Sequence, residues 1–262
     1  RLASETATAH LGGTPIFIRG DELQLGRGET IADTARIISG FCSALIIRTF
    51  AQADVDELGK WATIPVINAL TDDDHPTQLL ADWLTIRENF GENIAGRKFV
   101  YLGDGNNMAN TWLIMGAIMG AHVVAATPSG KWAPSSVAVA TAKKIAIQSG
   151  ATVEVTDDPE SAAKGASVLY TDVWMSMGDP ESERSEKSQV LAPFSVTEHL
   201  MSLTSSDSIF MHCLPAHRGE EVAASVIDGT RSVIWREAFH RRTTIQSLLY
   251  HLIRGEIQGV SH

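Results

Sequence analysis

The feature that most constrains this chain is the alternation of short β-rich runs with helical patterns. Strand-like runs stand at residues 15–18, 44–48, 66–68, 98–102, 122–126, 152–155, 168–171 and 209–212. Helical patterns lie between most of them, at 31–39, 54–61, 107–119 and 135–148. A succession of strand, helix and strand needs crossover connections, so the alternation predicts an α/β fold with mostly parallel sheets flanked by helices. A long helix over 77–90, followed by Gly91-Glu92-Asn93 and Gly96, reads as a connector between two domains with a sheet each. The predicted divisions are 1–90, 91–237 and a final helical segment, 238–262.

Composition narrows the function classes. With 44% hydrophobic and 20% charged residues the chain is ordinary globular protein. A formal charge of −10 argues against a nucleic-acid partner. It leaves room for a small anion, because a few arginines in a cleft outweigh net charge locally. The cysteines, Cys42 and Cys213, show no CxxC spacing, which fits a reducing compartment without disulfides or structural zinc. No apolar run is long enough to span a membrane and no signal-peptide pattern opens the chain, so a cytoplasmic protein without membrane partners is expected. Residues 1–11 read as a helix already in progress, ended by Gly12 and Gly13, and suggest a fragment or processed form. The polar stretch 178–188 is expected to be a mobile surface loop.

The last helix carries Ile245, Leu248, Leu249, Leu252 and Ile253 on one stripe. Arg241 falls four residues before Ile245 on the same face, as either a snorkelling edge residue or a ligand contact.

Ligand-type side chains gather where strands end, which is where open α/β sheets bind ligands. Arg48 ends one run, and His75-Pro76-Thr77-Gln78 follows the next. Asn106-Asn107, Asp172 and His212-Cys213 follow three others. Each has a structural alternative: His75-Pro76 as a rigid turn, Asn107 as a helix N-cap, Asp172 as a turn cap, Cys213 as a small buried apolar residue. Residues 102–108 imitate a dinucleotide fingerprint, but Met108 occupies the third glycine position and the strand at 122–126 ends without an acid for a ribose. Phosphate-loop, nucleophile-elbow and metal-ligand spacings are missing, so no cofactor and no metal are expected.

His75-Pro76-Thr77-Gln78, Asp172-Val173-Trp174-Met175-Ser176-Met177-Gly178 and His212-Cys213-Leu214-Pro215 resemble the hallmark motifs of the ornithine carbamoyltransferases. Gln24–Glu29, Ile47-Arg48-Thr49-Phe50 and Gly103–Met108 add matches in the same order. The His-Pro-x-Gln motif is shared with the aspartate branch of the superfamily, whereas the Asp-x-x-x-Ser-Met-Gly and His-Cys-Leu-Pro pair is more specific to ornithine. The resemblance implies a carbamoyl-phosphate-binding first domain, an ornithine-binding second domain, and a carboxy-terminal helix that returns to the first. It implies a homo-oligomer, a trimer or a multiple of one. It assigns carbamoyl phosphate to Gln24, Arg48, His75, Pro76, Thr77, Gln78, Cys213, Leu214 and Arg241, and ornithine to Asn107, Asp172, Ser176 and Met177. Arg48, His75, Cys213 and Arg241 carry the catalytic roles, with Cys213 placed to influence or accept the proton of the attacking amine.

The chain also departs from the family. A Ser-x-Arg-Thr-Arg phosphate loop belongs just before Leu2, and Arg1 is its only counterpart here. The 262 residues alone are therefore expected to have little activity, and Leu248, Leu249 or Leu252 to risk exposure. Phe239-His240-Arg241 stands where Glu-Asn-Arg is usual. A catalytically silent relative used for binding, or a carbamoyltransferase for another amine, remains the alternative.

Overall fold

Parallel pairing requires a crossover between strands, and every described strand pair of this protein is parallel. The computed structural model describes residues 1–20, 28–92, 94, 96–175 and 180–257. The chain forms two compact units, residues 1–81 with 239–262, and residues 82–238.

The first unit runs α1 (Leu2–His10), α2 (Ile31–Phe41), β1 (Leu45–Arg48), α3 (Gln52–Trp61), β2 (Val66–Leu70) and the start of α4 (Pro76–Phe90). Thr30 caps α2, its hydroxyl accepting the Asp33 N–H at 3.1 Å. β1 and β2 pair from Leu45↔Val66 to Arg48↔Leu70, with an irregularity between Ile47 and Arg48. The core joins Ala7, Ile67, Ile245 and Leu249, and Ala3, Ala44, Ile46, Leu248 and Leu252 pack against it. The stripe of the last helix is thus largely covered, each buried leucine contributing roughly 1.5–3 kcal/mol, and only Ile253 of that stripe stays half exposed. The strand expected at 15–18 is irregular backbone, with Ile16, Phe17 and Ile18 exposed. Apolar composition favours a pleated surface only where a neighbouring strand completes the ladder, and no described strand does so here.

The second unit takes up α4 and continues through β3 (Lys98–Leu102), α5 (Asn107–Ile118), β4 (His122–Ala126), α6 (Ser136–Ser149), β5 (Thr152–Thr156), α7 (Pro159–Ala163) and β6 (Val168–Thr171). It then runs through α8 (Arg184–Leu191), α9 (Glu198–Leu203), β7 (Ile209–His212), α10 (Ala224–Ile227) and the start of α11 (Ile234–Ile253). The sheet order is β5-β4-β3-β6-β7. β6 and β7 are buried along their whole length, as a sheet covered on both faces requires. α5 lies close on β4, because a Cβ at Gly116 would come within 2.0 Å of Val123. From β3 the chain winds outward to β4 and β5, then returns to the other side of β3 for β6 and β7. The carboxyl ends of β3 and β6 therefore flank a topological switch point.

The surface loop expected at 178–188 is partly helix α8, in which Lys187 is 2% exposed. Its ammonium meets Asp104 Oδ2 at 2.7 Å, and that pairing, invisible locally, turns this one side chain inward while its described neighbours in the stretch stay exposed or half-buried. No described helix is long and apolar enough to cross a membrane.

Candidate functional site

In the first unit, the register that sets Arg48 beside Leu70 brings the exits of both strands to one edge. Beyond Leu70 the chain makes a tight turn: Thr71 N–H donates to Asp74 O at 2.8 Å, and Asp74 N–H to Thr71 Oγ1 at 3.1 Å. His75 closes the turn, and Pro76 opens α4, where a first-turn residue needs no N–H donor. Thr77 is buried and its hydroxyl donates to Ala69 O at 3.2 Å, which ties helix to strand. Gln78 is buried, and its Oε1 accepts from Arg241 Nη1. Arg241 Nε is buried without a hydrogen-bond partner among the described residues.

The electrostatics of this edge are those of an anion site. Burial first, then Arg241 and Arg48, lowers the His75 pKa to about 3, so its imidazole is neutral at physiological pH. Burial and then Arg241 lower the Arg48 pKa as well. Positive charge crowded in this way is relieved by a dianion held in guanidinium forks. A neutral imidazole can still donate one N–H to a polarised carbonyl.

In the second unit, the residues beyond β3 form a close turn. Gly105 N–H donates to Trp132 O at 2.9 Å, and a Cβ there would lie 2.2 Å from the Ala133 carbonyl carbon, which restricts the position to glycine. Asn106, not Asn107, caps α5: its backbone is extended and its Oδ1 accepts from Met108 N–H at 2.9 Å and Ala109 N–H at 3.3 Å. Its Nδ2 then donates to Asp172 Oδ2 at 3.0 Å. Asn107 becomes the first helical residue, half-buried. The hydroxyl of Thr171 donates to Leu102 O at 2.7 Å and clamps the exits of β6 and β3 together.

Asp172 is 8% exposed. Its Oδ1 accepts from Val173 N–H at 2.7 Å and from the Cys213 thiol at 2.8 Å. Burial first, and then the Asp172 carboxylate, pushes the Cys213 thiol well above its ordinary range, so it stays protonated. After Cys213, Leu214 adopts a left-handed φ of 58°, unusual for a branched side chain. Its N–H donates to His212 Nδ1 at 2.8 Å.

The support beneath this segment escaped the sequence reading. His212 N–H donates to Glu237 Oε2 at 3.0 Å. Glu237 is fully buried, and burial followed by Asp82 raises its pKa well above the usual carboxylate range. A signal for it exists: Asp82 interrupts the apolar run of Leu79, Leu80, Ala81 and Trp83, where an acid needs a reason. The sequence reading also found no cluster at metal spacing, yet the fold brings ligand atoms of His217, Glu220 and Glu221 within 4.8 Å of one another.

The structure therefore gathers Arg48, His75, Gln78 and Arg241 in the first unit, beside Pro76 and Thr77. In the second it gathers Asp172 and Cys213 with Asn106, flanked by Asn107 and Leu214. Gln24, Ser176 and Met177 lie outside the described residues.

Comparison with known proteins gives a consistent result. The aspartate/ornithine carbamoyltransferase carbamoyl-P binding domain matches residues 1–88, and the Asp/Orn binding domain of the same family matches residues 95–252. The chain is 50% identical to an ornithine carbamoyltransferase of Anoxybacillus flavithermus over 97% of its own length and 80% of the relative's. It is 47% identical to one from Pyrococcus horikoshii, over 99% of this chain and 81% of that protein. Among solved structures, the Pyrococcus furiosus ornithine carbamoyltransferase superposes with a TM-score of 0.92 at 46% identity, over 98% of this chain and 81% of that one.

Proposed function

The chain belongs to the aspartate/ornithine carbamoyltransferase family, and from that premise we propose that it moves the carbamoyl group of carbamoyl phosphate to the δ-amine of L-ornithine, giving L-citrulline and phosphate. The observation that carries the choice of ornithine is Asp172, a mostly buried carboxylate at the switch point of the second sheet, held by an amide, a backbone N–H and a thiol. An α-ammonium needs such a counter-charge, whereas the acylated nitrogen of an acylated ornithine does not; putrescine keeps that ammonium and differs from ornithine by the α-carboxylate it lacks.

Arg48 and Arg241 bind the phosphate dianion, and Gln78 orients Arg241. His75, neutral at physiological pH, donates to the carbamoyl oxygen as it gains charge in the tetrahedral transition state. Pro76 and Thr77 hold the helix start that positions His75 and Gln78. Asn107 donates to the α-carboxylate of ornithine, and Ser176 and Met177 complete that recognition. By family resemblance, Leu214 and Gln24 add to carbamoyl phosphate binding. The δ-nitrogen attacks the carbamoyl carbon, the bond from that carbon to the phosphate oxygen breaks, and the amine proton leaves with phosphate. Cys213 takes part as a protonated donor that orients Asp172, since its raised pKa removes it as a base.

The active species is a homotrimer or a multiple of one, acts in the cytoplasm, serves arginine biosynthesis and uses no cofactor. The decisive assay is citrulline formation from carbamoyl phosphate and L-ornithine. It is run on the 262-residue chain and on the chain with a family-type Ser-x-Arg-Thr segment joined before Arg1. Citrulline from either, with no product from putrescine, supports the reading; a folded protein that yields none in both forms overturns it.

A further inference from the structure

The turn that follows Cys213-Leu214-Pro215 in the second unit holds a group of side chains that the transfer chemistry does not use. Glu220 N–H donates to His217 O at 3.0 Å and Gly219 N–H to Val222 O at 2.8 Å. This folding draws one ligand atom each of His217, Glu220 and Glu221 to within 4.8 Å of the others. Glu221 is fully buried. Its Oε1 is engaged, accepting the His217 N–H and meeting His212 Nε2 at 3.3 Å. Its Oε2 is also buried, has no hydrogen-bond partner among the described residues, and stands 3.7 Å from His217 Nδ1, beyond hydrogen-bond reach. A carboxylate oxygen shut away from water without a donor is costly unless something else neutralises it.

The separations suit a metal ion. Two atoms each about 2.0–2.2 Å from a tetrahedral zinc stand roughly 3.3–3.6 Å apart, close to the His217–Glu221 spacing. The side chains of His217 and Glu220 are 50% and 41% exposed, which leaves a route from solvent. We propose that His217 Nδ1, Glu221 Oε2 and the Glu220 carboxylate form a binding site for a divalent transition ion of the zinc type, with water as the fourth ligand. One imidazole among carboxylates selects against magnesium and calcium, which favour all-oxygen shells. Glu220 is the weakest of the three ligands, because Arg184 Nη1 stands 4.0 Å from its Oε2 and competes for it. Since Glu221 also holds His212, whose Nδ1 accepts the Leu214 N–H, an ion here stiffens the segment just after Cys213.

The test is calorimetric titration of the full chain with zinc chloride, repeated for His217→Ala, Glu220→Gln and Cys213→Ser, with cobalt(II) as a spectroscopic probe. The expected result is one saturable site, weakened more than about tenfold by His217→Ala, less by Glu220→Gln and not by Cys213→Ser. Its cobalt spectrum would lack a thiolate charge-transfer band. Absence of zinc binding in the unaltered chain overturns the proposal. So does affinity indifferent to His217→Ala, or a thiolate band lost with Cys213→Ser, which would assign the ion to the thiol.

Discussion

At the exits of β1 and β2 the first unit sets Arg48 and Arg241 beside a histidine whose charge is suppressed first by burial and then by these two arginines. At the exits of β3, β6 and β7 the second unit sets Asp172 against an amide and a thiol, and the buried acids Glu237 and Asp82 act on the same thiol. Both arrangements are disfavoured without a ligand, for opposite reasons. The first concentrates positive charge and suits a dianion. The second concentrates acidity, with burial pushing the Glu237 and Cys213 pKa values up, and suits an ammonium beside Asp172. Each set of neighbours thus defines a ligand charge, and the two substrates carry those charges.

The largest effect that can break this comparison lies at Asp172. Asp172→Ala should cost roughly 2–5 kcal/mol in ornithine binding, about 30- to several-thousandfold, because the substrate ammonium would be buried without its partner. Carbamoyl phosphate affinity, measured by calorimetry on the same variant, should stay within about threefold if the loss is confined to one side. Equal losses for both ligands would show that the two charge environments are one. Arg48→Ala should lower carbamoyl phosphate affinity by roughly 10–150-fold, the equivalent of about 1.5–3 kcal/mol for hydrogen bonds to a charged group. The effect is smaller because Arg48 stands at the exposed end of its strand. An unchanged affinity would leave the dianion to Arg241 alone.

Much of the second unit is legible in the sequence, because its strands are apolar runs bounded by glycine and polar turns. The expected runs at 98–102, 122–126, 168–171 and 209–212 coincide with β3, β4, β6 and β7. What is not legible depends on distant partners. The run at 15–18 carries strand-forming residues but finds no described strand to pair with, and Lys187 looks like a solvated lysine until Asp104 is placed against it. The cap of α5 turns on backbone angles that distinguish Asn106 from its identical neighbour. Motif likeness proposes Arg48, His75, Asp172 and Cys213 as site residues, but the direction of the Cys213–Asp172 hydrogen bond, and hence the protonated thiol, needed the fold.

That thiol provides the next test. Asp172→Asn keeps an oxygen to accept from Cys213 while it removes the charge that raises the thiol pKa. The thiolate fraction at neutral pH, read as the iodoacetamide rate at Cys213 by peptide mass analysis, should rise about tenfold for each unit by which the pKa falls. A rate that does not change would mean that burial alone sets the thiol and that Asp172 contributes orientation only.

The smallest effect concerns His75 and appears in stability instead of binding. Its folded pKa of about 3 lies below the ordinary 6.5, so between those values the unfolded chain binds a proton that the folded chain refuses. Stability from this group is therefore complete above the unfolded value and is lost as pH falls through the window towards the folded one. Between neutral pH and about pH 5.5 the loss should be about 1 kcal/mol. Urea unfolding of the unaltered chain and of His75→Gln at both pH values isolates it, because the variant lacks the titrating ring while the other groups are shared. A smaller acid loss in the variant, by about 1 kcal/mol, is expected. An identical loss in both proteins would mean that His75 titrates normally when folded, and that Arg48 and Arg241 do not crowd it as the geometry indicates.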